Sequence, residues 1–354
     1  GIYTGGSIAY DATTESLYVT RGNWKNNYYR YAIGTDTWSQ LPDTPAGFDQ
    51  GATQIVYNGY IYALRGANTT NFYRYNISES SWEIPAKGLF GPSIPGGTSY
   101  FPFYYGTATT SDGDGNIYLM RGYYDNVFVK YNVATGTTTE MARLPVGAYD
   151  GATLSYAVDR DEIYYSPGTI RTTRSGAGNY FYKYDVATNT WTEITTDRPP
   201  LQVGAGSSMT YDGSRYLYLT RGAGTTTWWR YDLDGANGSR WSALTVNASL
   251  LTTTGGSIIS TSGFIYAVRG GNNAIYRYDT TGGTWSTLPV MPATITTGGS
   301  MVDGQDGYLY VVRGGNTSSK YRYRIADGLL GTWENVTNIP AQVNIGGFMQ
   351  QESQ

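Results

Sequence analysis

The chain has 354 residues, a net charge of −3 and only 14% charged residues, with no basic run of the kind that nucleic-acid surfaces need. It contains no cysteine and no histidine, which removes disulfides, thiol chemistry, Cys/His zinc sites and every Ser-His or Cys-His catalytic pair. No apolar run is long enough to span a membrane as a helix, while 36 Tyr and 47 Gly suit short strands and tight turns.

The first unit of the chain predicts four short strands. Ser7–Tyr10 reads as an innermost strand, Asp11–Ser16 as a turn, and Leu17–Arg21 as a second strand. Tyr28–Ala32 reads as the third, and the fourth begins at Thr37-Trp38. In the second strand Leu17, Val19 and Arg21 alternate with Tyr18 and Thr20, the period of a strand with two different faces.

The same pattern then recurs to the end of the chain, with units opening near 5, 50, 105, 150, 205, 255 and 298. Each opens on a glycine and a small residue: Gly6-Ser7, Gly51-Ala52, Gly106-Thr107, Gly151-Ala152, Gly206-Ser207, Gly256-Ser257 and Gly299-Ser300. Small residues there suit inner strands that crowd around an axis. An Arg-Gly pair follows at Arg21, Arg65, Arg121, Arg221, Arg269 and Arg313, with Pro167-Gly168 in the fourth unit. Next comes an aromatic-basic-Tyr run such as Tyr29-Arg30-Tyr31; Val129-Lys130-Tyr131 breaks it in the third unit, and Tyr182-Lys183-Tyr184 carries Lys in the fourth. A tryptophan closes each unit (Trp38, Trp82, Trp191, Trp241, Trp285, Trp333) except the third, which has Thr138. Insertions lengthen the chain at 86–104 and 169–179.

Repetition at this period means stacked units around one core. The pattern resembles the Kelch repeat, with its strand ending in glycine, then a Tyr, then a Trp at set spacing. The resemblance runs from Gly5 to about Pro340 and departs in one respect: six units carry Arg-Gly where Kelch units carry Gly-Gly. It implies an all-β, seven-bladed β-propeller with four antiparallel strands per blade, over residues 1–341. Kelch-type copper oxidases need His ligands and a Cys-linked Tyr, which this chain lacks, and the Ser-x-Asp-x-Gly-x-x-Trp turns of propeller sialidases are absent.

The repeated arginines admit two readings. A ring of them could bind an anion or an acidic glycan, or each could lie between blades, stacking on Tyr or Trp and donating to carbonyls. Recurrence once per blade favours the structural reading. Asp112-Gly113-Asp114-Gly115-Asn116 has some likeness to a calcium loop, but it lacks the downstream Glu and sits where a hairpin must turn, as Asp303–Gly307 does. Asp43, Asp49 and Asp150 are candidate carboxylates near blade openings, and their spacing identifies no catalytic pair. No metal or other cofactor is expected.

The C-terminus adds an irregularity. Val343-Asn344-Ile345-Gly346-Gly347-Phe348-Met349 reads as an eighth opening strand, like Ile2-Tyr3-Thr4-Gly5-Gly6 at the start. Residues 342–354 therefore form a surplus strand or tail. It could close its own ring or pair with a neighbouring subunit, and a surplus strand needs partners for its backbone. The leading expectation is a non-enzymatic, secreted or cell-surface structural protein that self-assembles into a homopolymer by strand donation. The non-Met start fits a processed chain. Six sequons, at Asn68, Asn76, Asn237, Asn247, Asn316 and Asn335, would then be open to glycosylation. The alternative is a carbohydrate- or protein-binding module, using aromatics such as Trp24, Tyr123, Tyr124 and those at 100–105 to grip glycans.

Overall fold

The structure is a computed structural model that describes residues 6–49, 51–83, 103, 106–169, 178–244, 257–268, 271–296, 300–313 and 317–340. Twenty-eight strands lie in these segments and form seven antiparallel sheets of four. Blade one holds β1 (Ser7–Asp11), β2 (Ser16–Gly22), β3 (Lys25–Ala32) and β4 (Thr37–Leu41). Blade two holds β5 (Thr53–Tyr57), β6 (Tyr60–Leu64), β7 (Phe72–Asn76) and β8 (Ser81–Glu83). Blade three holds β9 (Ala108–Ser111), β10 (Asn116–Met120), β11 (Phe128–Asn132) and β12 (Thr137–Glu140). Blade four holds β13 (Thr153–Ala157), β14 (Glu162–Ser166), β15 (Tyr182–Asp185) and β16 (Thr190–Glu193). Blade five holds β17 (Met209–Tyr211), β18 (Tyr216–Thr220), β19 (Trp228–Asp232) and β20 (Trp241–Ala243). Blade six holds β21 (Ser257–Thr261), β22 (Phe264–Val268), β23 (Ile275–Asp279) and β24 (Thr284–Thr287). Blade seven holds β25 (Ser300–Asp303), β26 (Tyr308–Val312), β27 (Lys320–Arg324) and β28 (Trp333–Val336).

Strands pair in sequence order within every blade, and the first strands of neighbouring blades touch, so they surround the axis. This is a seven-bladed β-propeller. The small residues that open the units are buried there: Ser7, Ala52, Thr107, Ala152 and Ser207 are each under a tenth exposed.

The core is divided among the seams between blades. The alternation in β2 shows how. Leu17 and Val19 enter a cluster with Val302, Tyr310 and Val312 of blade seven, while Tyr18 enters one with Val56, Ile61 and Tyr75 of blade two. Each strand thus feeds two cores from its two faces. The repeat tryptophans fasten the seams. Trp82 Nε1 donates to Pro42 O at 3.0 Å, Trp191 to Ala142 O at 2.9 Å, Trp241 to Asp197 O at 2.8 Å and Trp333 to Pro289 O at 2.7 Å. In each case the carbonyl follows the last strand of the preceding blade. Where blade three lacks its tryptophan, Phe103 from the long insertion is fully buried in the seam with Phe72, Ile117 and Tyr131.

Blade seven meets blade one in the same manner. Trp38 Nε1 donates to Thr337 O at 2.6 Å, and the Thr337 N–H donates to Asp36 Oδ1 at 3.0 Å. The inner strand of blade one is β1, from the chain's own beginning. The ring is therefore closed by contacts within one chain.

Candidate functional site

Antiparallel order puts the turns between first and second strands at one end of the propeller and the turns after the second strands at the other. The first end is acidic. Asp112, Asp159, Asp212, Asp303 and Asp306 all stand in its hairpins. They build the turns themselves. Asp112 Oδ1 accepts the N–H groups of Asp114 and Asn116 at 2.9 and 3.0 Å, and Asp212 Oδ1 accepts those of Ser214, Arg215 and Tyr216. The stretch with a likeness to a calcium loop, Asp112–Asn116, is thus a side-chain-capped hairpin.

The second end holds the described arginines of the Arg-Gly pairs, Arg21, Arg65, Arg121, Arg221 and Arg313. Arg65 Nε donates to Gly47 O at 2.8 Å, Arg221 Nε to Gln202 O at 3.1 Å and Arg313 Nε to Thr294 O at 2.9 Å. Each bond pins the loop leading into the same blade's inner strand. Arg121 instead pairs with Asp125 at 3.4 Å. The arginines of the Tyr-Arg-Tyr runs stack within their own blades: Arg74 on Tyr60, Arg230 on Tyr216, Arg277 on Phe264 and Arg322 on Tyr308, at 4.3–4.6 Å. The repeated arginines thus serve the scaffold; those of the Tyr-Arg-Tyr runs stack inside their own blades, while Arg65 of blade two lies 5.8 Å from the Trp24 ring of blade one.

Among the described residues a concavity lies along the axis and opens at the acidic end. Its volume is about 770 Å³, the size of a small-ligand site. Its walls are the inner strands of blades three to six, β9, β13, β17 and β21, and the Asp303–Gly307 turn of blade seven closes one side. Ser and Thr recur in the lining, which is otherwise mixed: Thr109, Thr110, Ser111, Ser155, Ser208, Thr210, Ser260 and Thr261. Leu154, Met209, Ile258 and Ile259 supply apolar wall. Thr261 Oγ1 donates to the buried Asp303 Oδ2 at 2.5 Å, joining blades six and seven. Tyr156 donates to Asp161 at 2.9 Å and Tyr211 to Asp159 at 2.5 Å. Burial and then these carboxylates push both phenols well above the usual tyrosine range, so they are donors at neutral pH. This cavity was missed from sequence. Its only trace there is the run of Ser and Thr along the inner strands.

The sequence-derived candidates fall elsewhere. Asp43 is exposed beside Gln40. Asp49 is buried in the turn before β5, its N–H bonded to Arg65 O and its carbonyl to the Ala52 N–H. Asp150 leads into blade four, and burial raises its carboxyl above the ordinary range. No described hydrogen bond joins any two of the three. Trp24 and Tyr123 are exposed at the arginine end, whereas Tyr124 stacks on Tyr149 with ring centres 4.0 Å apart. Of the sequons, Asn68, Asn237 and Asn335 are exposed, while Asn76 is buried and its Oδ1 accepts from Ser78 Oγ and the Glu79 N–H. Asn247 and Asn316 lie outside the described residues. So do the assembly candidates Ile2, Tyr3, Gly5, Val343, Ile345, Gly346, Gly347, Phe348 and Met349, and all of 100–105 except Phe103; Gly6 is buried at the start of β1. Among the described residues no helix is long and apolar enough to cross a membrane.

No family model matches the chain, and no curated protein does. Among solved structures 1372 chains match, one of them titled "Structure of YjhT", with a TM-score of 0.52 and 14% identity over 95% of this chain and 98% of that one. At this identity the likeness speaks for the fold.

Two expectations are corrected here. The reading as a self-assembling structural filament protein gives way to a propeller closed within one chain, by Trp38, Thr337 and the apolar seam of blades seven and one, and similar to a solved propeller over almost its whole length. With it goes the flat exclusion of enzymatic activity. Lack of His and Cys closes some chemistries without closing all of them, and a propeller fold similar to that of YjhT does not by itself exclude catalysis.

Proposed function

We propose that the chain is a carbohydrate-binding propeller that takes a neutral saccharide into its axial cavity, on a Kelch-like repeat modified by Arg-Gly. The supporting observation is the hydroxyl lining around the Thr261–Asp303 pair at 2.5 Å. A sugar presents adjacent hydroxyls that both donate and accept. Ser and Thr match that dual character, and the Asp303 carboxylate is a strong acceptor. Leu154, Met209 and Ile259 offer apolar surface to its C–H groups. The acidic end disfavours an anionic ligand at this mouth. An exported chain belongs to the same proposal, since its ligands would be found outside the cell.

A glycan array followed by calorimetry tests this reading. Asp303→Asn and Thr261→Val are expected to weaken binding at least tenfold, with melting temperatures measured alongside. Unchanged affinity in both folded variants would remove the cavity as the site. Product analysis of the bound glycan after incubation tells binding from turnover.

A further inference from the structure

We propose that the axial cavity continues into a second subsite over the first turn of blade six, so that its ligand is a linear oligosaccharide held by one end, with Thr280 setting the chain length it accepts. This rests on the reading of the cavity as a saccharide site. The starting observation is a bond that every blade repeats. The first residue after the third strand donates its N–H to a carbonyl in the turn between the first two strands, as Ile33 does to Glu15, Leu233 to Arg215, Thr280 to Gly263 and Ile325 to Gly307, at 2.8–3.2 Å. In six blades this donor is aliphatic: Ile33, Ile77, Val133, Val186, Leu233 and Ile325. Each of them packs against the apolar core of a seam. Blade six alone has a hydroxyl there. Thr280 Oγ1 donates to Gly263 O at 2.6 Å, and its oxygen can accept as well.

A second position breaks the repeat in the same place. Ser260, opposite Ile265, holds the rank of Tyr10, Tyr156 and Tyr211, which stand opposite Leu17, Ile163 and Leu217. Tyr211 reaches Asp159 of blade four and fills the space between their turns. Ser260 leaves the corresponding space between blades five and six to the cavity, whose wall there is Asp212–Ser214, Ser260, Gly263 and Thr280. From blades three, four and five the cavity meets the first strand and the residues next to it. Among the described residues, Thr280 and Ile325 are its only lining from beyond a third strand. Ile325 is apolar and packs in the seam of blades six and seven, so the polar way out runs over blade six. Two departures from a uniform repeat, both lining one cavity, point to function rather than scaffold.

A line of polar groups marks that path. Asp303 Oδ2 accepts from Thr261 Oγ1, Ser262 Oγ lies 3.3 Å from Thr261 Oγ1, and Thr280 follows through Gly263 O. Nothing stands within 4 Å of the point where a side chain on Gly263 would begin, so the strip is open to a chain lying along it. An oligosaccharide presents hydroxyls along its whole length. Ser262 and Thr280 can donate to or accept from units beyond the one beside Asp303. The cavity opens at the acidic end, so the chain enters by one end and its remainder lies on this strip.

The experiment is calorimetry with malto-, cello- and manno-oligosaccharides of one to five units, and with the neutral glycan selected on the array in the same lengths. In the series that binds, affinity is expected to rise about tenfold between one unit and three. Thr280→Ile gives blade six the residue of the other blades, so it is expected to melt no lower than wild type. It should weaken binding of the three-unit chain about tenfold, leaving it no tighter than the single sugar. Ser260→Tyr, which fills the space beside Thr280, should do the same. A single sugar that binds as tightly as its three-unit chain, or a gain with length that persists in Thr280→Ile, overturns the subsite and leaves the cavity standing. Equal loss of one-unit and three-unit binding in Thr280→Ile places Thr280 at the first sugar and overturns its role in chain length. No binding of any of these sugars to wild type overturns the saccharide reading of the cavity and the subsite with it.

Discussion

The Nζ of Lys320 in blade seven lies 2.6 Å from the ring centre of Tyr31 in blade one. Trp38 and Tyr310 complete its surroundings at 4.7 and 5.5 Å. Lys320 opens the third strand of its blade, opposite Val312. The same rank is held by Tyr28, Phe72, Phe128, Trp228 and Ile275 in other blades, where it packs into the seam. Tyr28 meets Trp82 at 4.8 Å, Phe128 meets Trp191 at 5.2 Å and Trp228 meets Trp285 at 4.8 Å, as Lys320 meets Trp38. An amine thus occupies a place built for an apolar side chain, and its Nζ has no hydrogen-bond partner among the described residues. Burial drives its pKa down to about 5, against a partial pull upward from Asp36 and with a further push downward from Arg322. At neutral pH it is an uncharged amine directed at a ring.

Lys320→Met is therefore expected to stabilise the ring, by about 1–4 kcal/mol, by filling the seam without a stranded amine. The pH dependence carries the sign. The unfolded lysine takes up a proton below its ordinary value of 10.5 and the folded one only below about 5. The unfolded state binds more protons between those limits, so wild-type stability falls as pH drops through that window. Urea unfolding of both proteins from pH 5 to 9 checks this: their difference in stability should widen towards low pH.

Closure within one chain makes Trp38 equivalent to its counterparts. Trp38→Phe removes the bond to Thr337 O and Trp191→Phe the bond to Ala142 O. Each is expected to cost about 1 kcal/mol. Neither loss should depend on protein concentration, which denaturation at two concentrations a hundredfold apart would establish.

The tyrosines set an alkaline limit. Burial raises Tyr28 and Tyr165 well above their usual value, and holds Tyr62, Tyr184 and Tyr231 at about 12. A phenol whose folded pKa is raised lends stability that is complete below pH 10 and is lost as pH climbs through the folded value. Ultraviolet titration should show phenolate forming late and together with unfolding. An early, reversible titration of most of the 36 Tyr in the folded protein would count against this packing.

Asn76 separates the sequons. Its Oδ1 holds the turn before β8, so Asn76→Ala is expected to cost about 1 kcal/mol. After expression in a glycosylating host, peptide mass spectrometry should find Asn76 unmodified while Asn237 and Asn335 are accessible.

The repeat and the individual strands are legible in the order of residues alone. Ser7, Leu17, Tyr28 and Thr37 mark four strands at the expected places, because strand alternation and turn residues act over a few positions. That order also pointed to arginines that serve the scaffold, since a feature repeated in six of the seven units is unlike a single site. Tertiary structure decided the rest. Thr261 meets Asp303 and Lys320 meets Tyr31 only because seven sheets curve round one axis, and no local pattern specifies that curvature. The same curvature gathers Ser and Thr of four inner strands into a cavity. Ring closure belongs to this level too. The eighth opening strand suggested a neighbour, but whether blade one needs a donor depends on whether β1 and Trp38 already satisfy it, and in the folded ring they do.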